Sequence, residues 1–280
     1  MRIIVTGAKG FIGKRLVEAL LRAGHTVAGI DAGESAGLPE GRWDVFYNLA
    51  WTGKGGALRA DSSVQLENVK VAVDNYRLAC ELGCKRYVCP GTIGEMMVAE
   101  AECAGIKSEN FVYAIAKSAL HSFLLALEKS ECKIVWARLG NIYGGKGNTN
   151  VLDWALATIL EGRMAKFGPA EQPYDFVHVD DAVNALVALG VASRLESGTY
   201  YVGAGDVRSL KDYLLELGRI AGCPELIGIG ERPDDGTRYR PEWFDIGELK
   251  RATGYVPQVA FAGGVGAMIA ESRQGEDCGR

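Results

Sequence analysis

Tyr113 and Lys117 are the residues whose types and spacing first suggest chemistry. They lie four positions apart in 110–128, a segment with helical periodicity, so their side chains share one face of the predicted helix. A phenol has a pKa of about 10, which is too high for acid–base catalysis at neutral pH. An ammonium group on the same helix face, beside a nicotinamide cation, stabilises the phenolate and lowers that pKa. The pair therefore indicates proton transfer coupled to nicotinamide chemistry.

Thr92 and the order of elements along the chain strengthen this interpretation. Thr92 ends a predicted strand and can hydrogen-bond the same substrate oxygen as Tyr113, because ligands bind at the carboxyl ends of parallel strands. The alternative for a bare Tyr-xxx-Lys pair is two solvated residues on an amphipathic helix. A strand-end hydroxyl and an N-terminal glycine turn precede the pair, and this order favours catalysis.

The first thirteen residues supply the element that must position a cofactor. Arg2–Thr6 is a β-branched run that predicts a buried strand. Gly7, Gly10 and Gly13 follow at spacings of three, and a helical pattern begins behind them. This strand–turn–helix arrangement brings backbone N–H groups and a helix N-terminus up to a pyrophosphate. A tight turn without a ligand is the alternative, since a glycine triplet alone is weak evidence.

Asp31 and Lys9 bear on which dinucleotide binds. Asp31 ends a predicted strand at 26–30, eighteen residues after Gly13, close to where an acidic side chain accepts from the adenosine ribose hydroxyls. A carboxylate there repels a 2′-phosphate, so the sequence favours NAD. Lys9 could meet a 2′-phosphate, so NADP stays open, and the alternative for Asp31 is an ordinary turn aspartate.

The alternation of apolar and helical patterns predicts an α/β fold. Strands are predicted at 2–6, 26–30, 44–50, 86–89 and 133–138, and helices at 14–23, 64–83 and 110–128. We expect a Rossmann-type doubly wound parallel sheet over 1–147, the NAD(P)-binding domain. The smaller C-terminal α/β portion, 148–280, is predicted to bind the substrate, with 170–190 packing back on the first domain. The glycine-rich segment 51–59 is expected to be a mobile loop.

Composition excludes several classes of protein. The 280 residues carry a formal charge of −4, with a pI near 5.6, which gives no electrostatic footprint for nucleic acid or an anionic membrane. No apolar run is long enough to suggest a membrane span, and the first strand begins where a signal peptide would lie. Seven scattered cysteines suggest neither a metal site nor a disulfide framework. We expect a cytoplasmic protein.

Several motifs occur in one order along the chain. They are Thr6–Gly13, Asn48–Ala50, Arg138–Gly144, Asp175–Asp181 and Phe244–Gly254. Together with Thr92, Tyr113 and Lys117, they make the whole chain resemble an extended short-chain dehydrogenase/reductase of the NAD-dependent epimerase/dehydratase group. Most members of that group act on nucleotide sugars, so the resemblance implies a nucleotide-linked sugar as substrate.

The resemblance to this family, together with the glycine turn and the Tyr-xxx-Lys pair, implies which residues form the site. The implied catalytic residues are Thr92, Tyr113 and Lys117. The residues implied to bind the cofactor are Gly7, Lys9, Gly10, Phe11, Ile12, Gly13, Asp31, Leu49, Ala50, Trp51, Cys89, Tyr113, Lys117, Gly140 and Ile142. The residues implied to bind the substrate are Thr92, Asn141, Phe167, Arg238 and Arg240. No metal is expected.

Departures from the family pattern narrow the expected reaction. In sugar 4,6-dehydratases the catalytic Thr precedes an Asp-Glu pair that eliminates water, whereas Ile93 follows Thr92 here and Glu95 comes one position late. Dehydration is therefore disfavoured. Tyr174 stands where the family usually has an arginine that contacts the diphosphate, which is why Arg238 and Arg240 are the candidates for that contact.

Two activities share the remaining machinery. We favour a 4-ketoreductase that takes in a keto sugar, because the C-terminal portion is small for the family. A 4-epimerase that retains its NAD is the alternative. A non-catalytic dinucleotide-binding sensor belongs to a different class, which is disfavoured because such relatives typically lose the Tyr-xxx-Lys pair. By family analogy, the two long helices at 64–83 and 110–128 predict a homodimer.

Overall fold

The computed structural model describes residues 1–31, 40–103, 105, 108–145, 147, 150–234, 236 and 238–277. Contacts divide the chain into two compact units. The first comprises Met1–Leu139, Val183–Val202 and Gly247–Tyr255, and the second comprises Gly140–Ala182, Gly203–Ile246 and the segment from Val256 onward. This division is discontinuous, unlike the single predicted boundary at 147, because a late strand returns to the sheet of the first unit.

The first unit is built on a parallel sheet, as predicted, and the sheet has six strands, one more than the five predicted within 1–147. They are β1 (Arg2–Thr6), β2 (Thr26–Ile30), β3 (Val45–Asn48), β4 (Arg86–Thr92), β5 (Lys133–Leu139) and β10 (Gly198–Val202). Their order across the sheet is β10-β5-β4-β3-β1-β2. The sequence of strands therefore reverses between β1 and β3, which is where doubly wound sheets bind ligands.

Helices of the first unit follow the strands in the manner of βαβ units. They are α1 (Phe11–Arg22), α2 (Ser62–Glu81), α3 (Glu95–Cys103), α4 (Val112–Leu127), most of α6 (Val179–Val191) and α8 (Gly247–Thr253). The apolar residues of β1, β3 and β4 are almost fully buried, because both faces of a parallel sheet are covered. Side chains from α2 and α4 pack into one core cluster with this sheet.

Helix α4 and the three residues before it together meet the length and hydropathy expected of a membrane span. The 19-residue segment Glu109–Leu127 has a mean hydropathy of 1.3, and it is the one such segment in the described part of the chain. Glu109, Lys117 and His121 interrupt the segment, so it passes on length and mean hydropathy and not as a continuous apolar run. In the fold, however, Ala116, Leu120 and Leu124 are buried in the core of the first unit.

The second unit consists of short strands and three helices, within the described ranges. The strands are β6 (Asn141–Tyr143), β7 (Ala165–Lys166), β8 (Pro173–Tyr174), β9 (Phe176–His178), β11 (Arg208–Ser209) and β12 (Ile227–Gly228). The helices are α5 (Val151–Leu160), α7 (Leu210–Ala221) and α9 (Phe261–Asp277), which bury one shared apolar cluster.

Helix α9 shows why part of this unit was not predicted. Gly263, Gly264 and Gly266 lie in its first half, and glycine disfavours helix by about 1 kcal/mol per residue relative to alanine. A methyl group at Gly264 would lie 2.3 Å from Tyr143 Oη. Close packing against Tyr143, which no local propensity encodes, therefore explains this glycine.

Candidate active site

The glycine turn has the geometry that the spacing predicted. Gly7 has a φ of +68°, and a methyl group there would lie 2.8 Å from the backbone nitrogen of Ala50. A methyl group at Gly13 would lie 2.0 Å from the carbonyl oxygen of Gly7. Gly10 caps α1 without a side-chain hydrogen bond, so the first N–H groups of α1 have no side-chain acceptor from their cap. This cradle fits a pyrophosphate.

Asp31 meets the same turn. One of its carboxylate oxygens accepts a hydrogen bond from the backbone N–H of Lys9 at 3.0 Å. The end of β2 and the glycine turn are thereby joined, so the predicted cofactor residues Gly7, Lys9, Gly10 and Asp31 lie together. Phe11 and Ile12 follow as the first residues of α1.

The end of β3 lines the opposite side of the turn. The backbone N–H of Ala50 donates to Thr6 Oγ1 at 3.3 Å, and Asn48 Nδ2 lies 3.8 Å from Cys89 Sγ. Cys89 is fully buried, and burial raises the pKa of its thiol to about 11. The thiol is therefore protonated at neutral pH.

Segment 51–59 is fixed to α2, in contrast to the expected mobile loop. The side chain of Gln65, which is 1% exposed, accepts from Trp51 Nε1 and donates to the carbonyl oxygens of Gly53 and Leu58, each at 2.9 Å. Asn68 exchanges two hydrogen bonds with the backbone of Thr52, at 2.9 and 2.8 Å. The glycine content of 51–59 predicted a mobile loop, whereas these five hydrogen bonds join the segment to α2.

The anchored segment places an aromatic ring and a cation over the predicted catalytic pair. Trp51 contacts Tyr113 edge-to-face, with ring centroids 5.9 Å apart, and Lys117 Nζ lies 3.5 Å from the Trp51 centroid. The guanidinium carbon of Arg59 lies 4.2 Å from the Tyr113 centroid, whereas Lys117 Nζ lies 5.9 Å from it. Lys117 Nζ instead donates to the carbonyl oxygen of Pro90 at 2.8 Å.

Burial sets the protonation of this pair. Burial raises the pKa of Tyr113 to about 12, and the Arg59 guanidinium acts against that rise. Burial lowers the pKa of Lys117 to about 8, and the negative forms of Cys89 and Glu95 oppose that fall. Lysine was predicted to be the cation that tunes the phenol, but Arg59 is the cation nearer the ring.

Thr92 lies at the carboxyl end of β4, beside the start of α4. Its Oγ1 accepts a hydrogen bond from the N–H of Gly94 at 3.3 Å, so its own hydroxyl hydrogen can be donated elsewhere. A methyl group at Gly94 would lie 3.6 Å from both Thr92 Oγ1 and Ala114 Cβ. Thr92 is therefore next to the turn of α4 that carries Tyr113.

Leu49 directly follows β3 in the first unit, and the second unit holds the other predicted residues. Gly140 precedes β6, in which Asn141 pairs with Phe176 and Ile142 pairs with Val177. The Nδ2 atom of Asn141 is buried and has no hydrogen-bond partner among the described residues. Burying an unpaired donor costs free energy unless a ligand or water accepts its hydrogen bond. The position of Asn141 Nδ2 therefore fits a substrate contact.

A pocket of about 450 Å³ opens in the second unit. Phe167 lines it and packs edge-to-face on Trp154, with centroids 5.5 Å apart. The guanidinium of Arg232, also in the lining, lies 5.5 Å from the Trp154 centroid.

The arginines predicted to contact the diphosphate do not line this pocket. Arg238 is exposed and pairs with Asp234 at 2.6 Å, and Arg240 lies 5.9 Å from the ring of Trp243. Arg232 was not singled out from the sequence, because no motif marks it.

The sheet and the glycine turn define a dinucleotide-binding α/β protein. The sequence profile of the NAD dependent epimerase/dehydratase family matches residues 3–203. The chain belongs to this family, which confirms the predicted membership and the predicted dependence on a nicotinamide dinucleotide.

The relatives cover between 78% and 98% of the chain. UDP-glucose 4-epimerase of Mycolicibacterium smegmatis is 27% identical over 316 aligned positions, covering 96% of this chain and 97% of the relative. dTDP-6-deoxy-L-talose 4-dehydrogenase (NAD(+)) of Aggregatibacter actinomycetemcomitans is 28% identical, covering 78% and 89%. The crystal structure of Thermus thermophilus UDP-glucose 4-epimerase in complex with NAD has a TM-score of 0.74 at 23% identity, covering 98% and 99%. The last similarity confirms the predicted fold.

Proposed function

We propose that this protein is an NAD(P)-dependent nucleotide-sugar oxidoreductase that transfers hydride at a sugar carbon, C4 in the form that we favour. The observation that carries the proposal is the assembly of Tyr113, Lys117 and Thr92 at the strand ends of the first unit, on a fold with a dinucleotide turn. The epimerase and the 4-dehydrogenase named above, which by their names act on nucleotide sugars, support it.

The side chains of this site divide the chemistry between them. When bound, the dinucleotide supplies or accepts the hydride. In the reductive direction, Tyr113 donates its proton to the sugar oxygen, which is consistent with a phenol whose pKa is raised to about 12 in the free protein. Thr92 donates its hydroxyl hydrogen to the same oxygen. Lys117 supplies positive charge, held in place by the carbonyl of Pro90.

These side chains can serve two reactions, reduction of a keto sugar or epimerisation, and we favour the ketoreductase. A ketoreductase consumes the reduced cofactor once per turnover and releases the oxidised form. An epimerase retains NAD, oxidises C4 and reduces the other face of the keto sugar. The relatives support both outcomes.

A nucleotide-release experiment distinguishes the outcomes. The purified protein is denatured, and the released nucleotide is identified and counted per chain. The ketoreductase predicts a largely empty site and a fall in absorbance at 340 nm when NAD(P)H and a nucleotide-linked keto sugar are added. About one NAD per chain, with no net absorbance change on turnover, would indicate the epimerase instead. No turnover with any nucleotide sugar would support the sensor alternative.

The pocket of the second unit is our candidate for the nucleotide end of the substrate. Trp154 and Phe167 offer apolar walls for a base, and Arg232 offers the positive charge that a diphosphate requires. This assignment replaces Arg238 and Arg240, because Arg232 lines the pocket and they do not.

A homodimer through α2 and α4 remains our proposal, together with the cytoplasmic location. These helices expose Leu66, Ile115 and Phe123, which are 65%, 47% and 55% exposed in the single chain.

Phe123→Glu is expected to convert a dimer into a monomer, because it places a charge in an apolar contact. Light scattering after gel filtration measures the mass. Leu21→Glu, at a residue 52% exposed on α1, is the matched control. A wild-type monomer at micromolar concentration contradicts the proposal.

A further inference from the structure

Glu95 is a buried carboxylate that the mechanism above does not use. It begins α3, and its side chain is 3% exposed. One oxygen accepts the backbone N–H of Thr92 at 2.5 Å. The other accepts from Trp136 Nε1 at 3.0 Å and lies 3.5 Å from an Arg138 nitrogen. Both oxygens are therefore engaged, and one of them holds the backbone of a predicted catalytic residue.

Gly91 shows that the end of β4 is shaped around this carboxylate. A methyl group at Gly91 would lie 2.2 Å from Trp136 Nε1 and 2.5 Å from a Glu95 oxygen. Any larger residue would displace the indole or the carboxylate. Gly91 is therefore explained by the Glu95–Trp136 hydrogen bond beside it.

Charge gives Glu95 a second effect on the site. The ionisable groups near the buried Lys117 ammonium are Glu95 from α3, Cys89 from β4 and Tyr113 from α4 itself. Cys89 is neutral at neutral pH because burial raises the pKa of its thiol to about 11. Burial also raises the pKa of Glu95, while Arg138 and the Thr92 N–H favour its ionised form. When ionised, Glu95 is the negative charge that opposes deprotonation of Lys117.

We propose that Glu95 is a positioning residue of the hydride-transfer site, which fixes Thr92 through its backbone N–H and balances the buried charge of Lys117. The inference rests on the proposed function. Glu95 is not the base of a dehydratase, because both of its oxygens are occupied within the protein and its side chain is inaccessible.

Glu95→Gln tests both effects. The amide keeps one acceptor oxygen but turns an N–H toward groups that are themselves donors. We expect kcat to fall roughly 10- to 100-fold with KM for the nucleotide sugar within about 3-fold, because a hydrogen bond to a charged group is lost. The alkaline limb of the kcat profile should move to lower pH, because without the carboxylate the pKa of Lys117 falls further. Glu102→Gln, exposed on the same helix, should change neither.

Glu95→Asp separates charge from position. It keeps the negative charge but is one methylene shorter, so kcat should fall while the alkaline limb stays in place. Trp136→Phe removes one donor and leaves the Thr92 contact, so kcat should stay within about 3-fold of wild type. If Trp136→Phe lowers kcat as much as Glu95→Gln, or if Glu95→Gln and Glu95→Asp both retain wild-type kcat and pH profile, the proposal is overturned.

Hydrogen exchange gives a readout that does not require the proposed function. In Glu95→Gln, a peptide spanning 88–97 should exchange faster than in wild type, because one amide oxygen cannot accept from the Thr92 N–H and from Trp136 and Arg138 together, which weakens the contact to Thr92. Faster exchange in the variant, together with no activity of the wild type, would support the contact between Glu95 and Thr92 but reject the proposed function. Full activity of the wild type, with unchanged exchange and unchanged kcat in the variant, would reject this role of Glu95 alone.

Discussion

Replacing Tyr113 with Phe is expected to lower kcat for hydride transfer by roughly 100- to 10,000-fold, the usual contribution of a general acid or base. The ring keeps its contacts with Trp51 and Arg59, so the aromatic packing is preserved and only the hydroxyl group is lost. The absorbance change at 340 nm in a single turnover measures the effect. Dinucleotide affinity should change by less than about 10-fold.

A matched tyrosine controls for the loss of a hydroxyl group. Tyr200→Phe removes a hydrogen bond to the carbonyl oxygen of Glu196 at 2.9 Å, in the same sheet. Its kcat should remain close to wild type. A Tyr113→Phe protein with more than about a tenth of the wild-type rate would show that another group transfers the proton.

Replacing Gly13 with Ala is expected to have the second largest effect, on cofactor binding and on stability. The added methyl group would lie 2.0 Å from the carbonyl oxygen of Gly7 and 2.9 Å from its carbonyl carbon. Both atoms are backbone, so the turn and α1 must move apart. Overpacking of this kind costs about 1–3 kcal/mol or more, and it displaces the N–H groups that would face a pyrophosphate.

The measurements for Gly13→Ala are NAD titration and thermal unfolding. We expect at least about a 100-fold loss of affinity, since charge-assisted contacts to the phosphates depend on close backbone approach. Gly266→Ala is the control, because its position is an exposed part of α9 with no atom within 4 Å of the added methyl group. That change should stabilise by about 0.5–1 kcal/mol. If Gly13→Ala left NAD binding unchanged, the proposal that the glycine turn binds the pyrophosphate would be refuted.

Local patterns predicted the elements that carry the site. Strand Thr26–Ile30 agrees with its predicted bounds, and the helix with Tyr113 and Lys117 begins and ends within two residues of prediction. Continuous apolar runs are strong signals because the strands of a parallel sheet are buried on both faces. Helix α3 was not predicted, since the buried member of its first turn is the charged residue Glu95 rather than an apolar one.

The sequence by itself determined those features that depend on short-range geometry. These are the spacing of Gly7, Gly10 and Gly13, the shared helix face of Tyr113 and Lys117, and the family motifs. The tertiary structure decided which distant groups act on them. Arg59 reaches Tyr113 because Gln65 anchors its loop, and Glu95 holds Thr92 while bound to Trp136, 41 residues away. Such contacts depend on how strands and helices pack, and no periodicity or spacing in the chain encodes them.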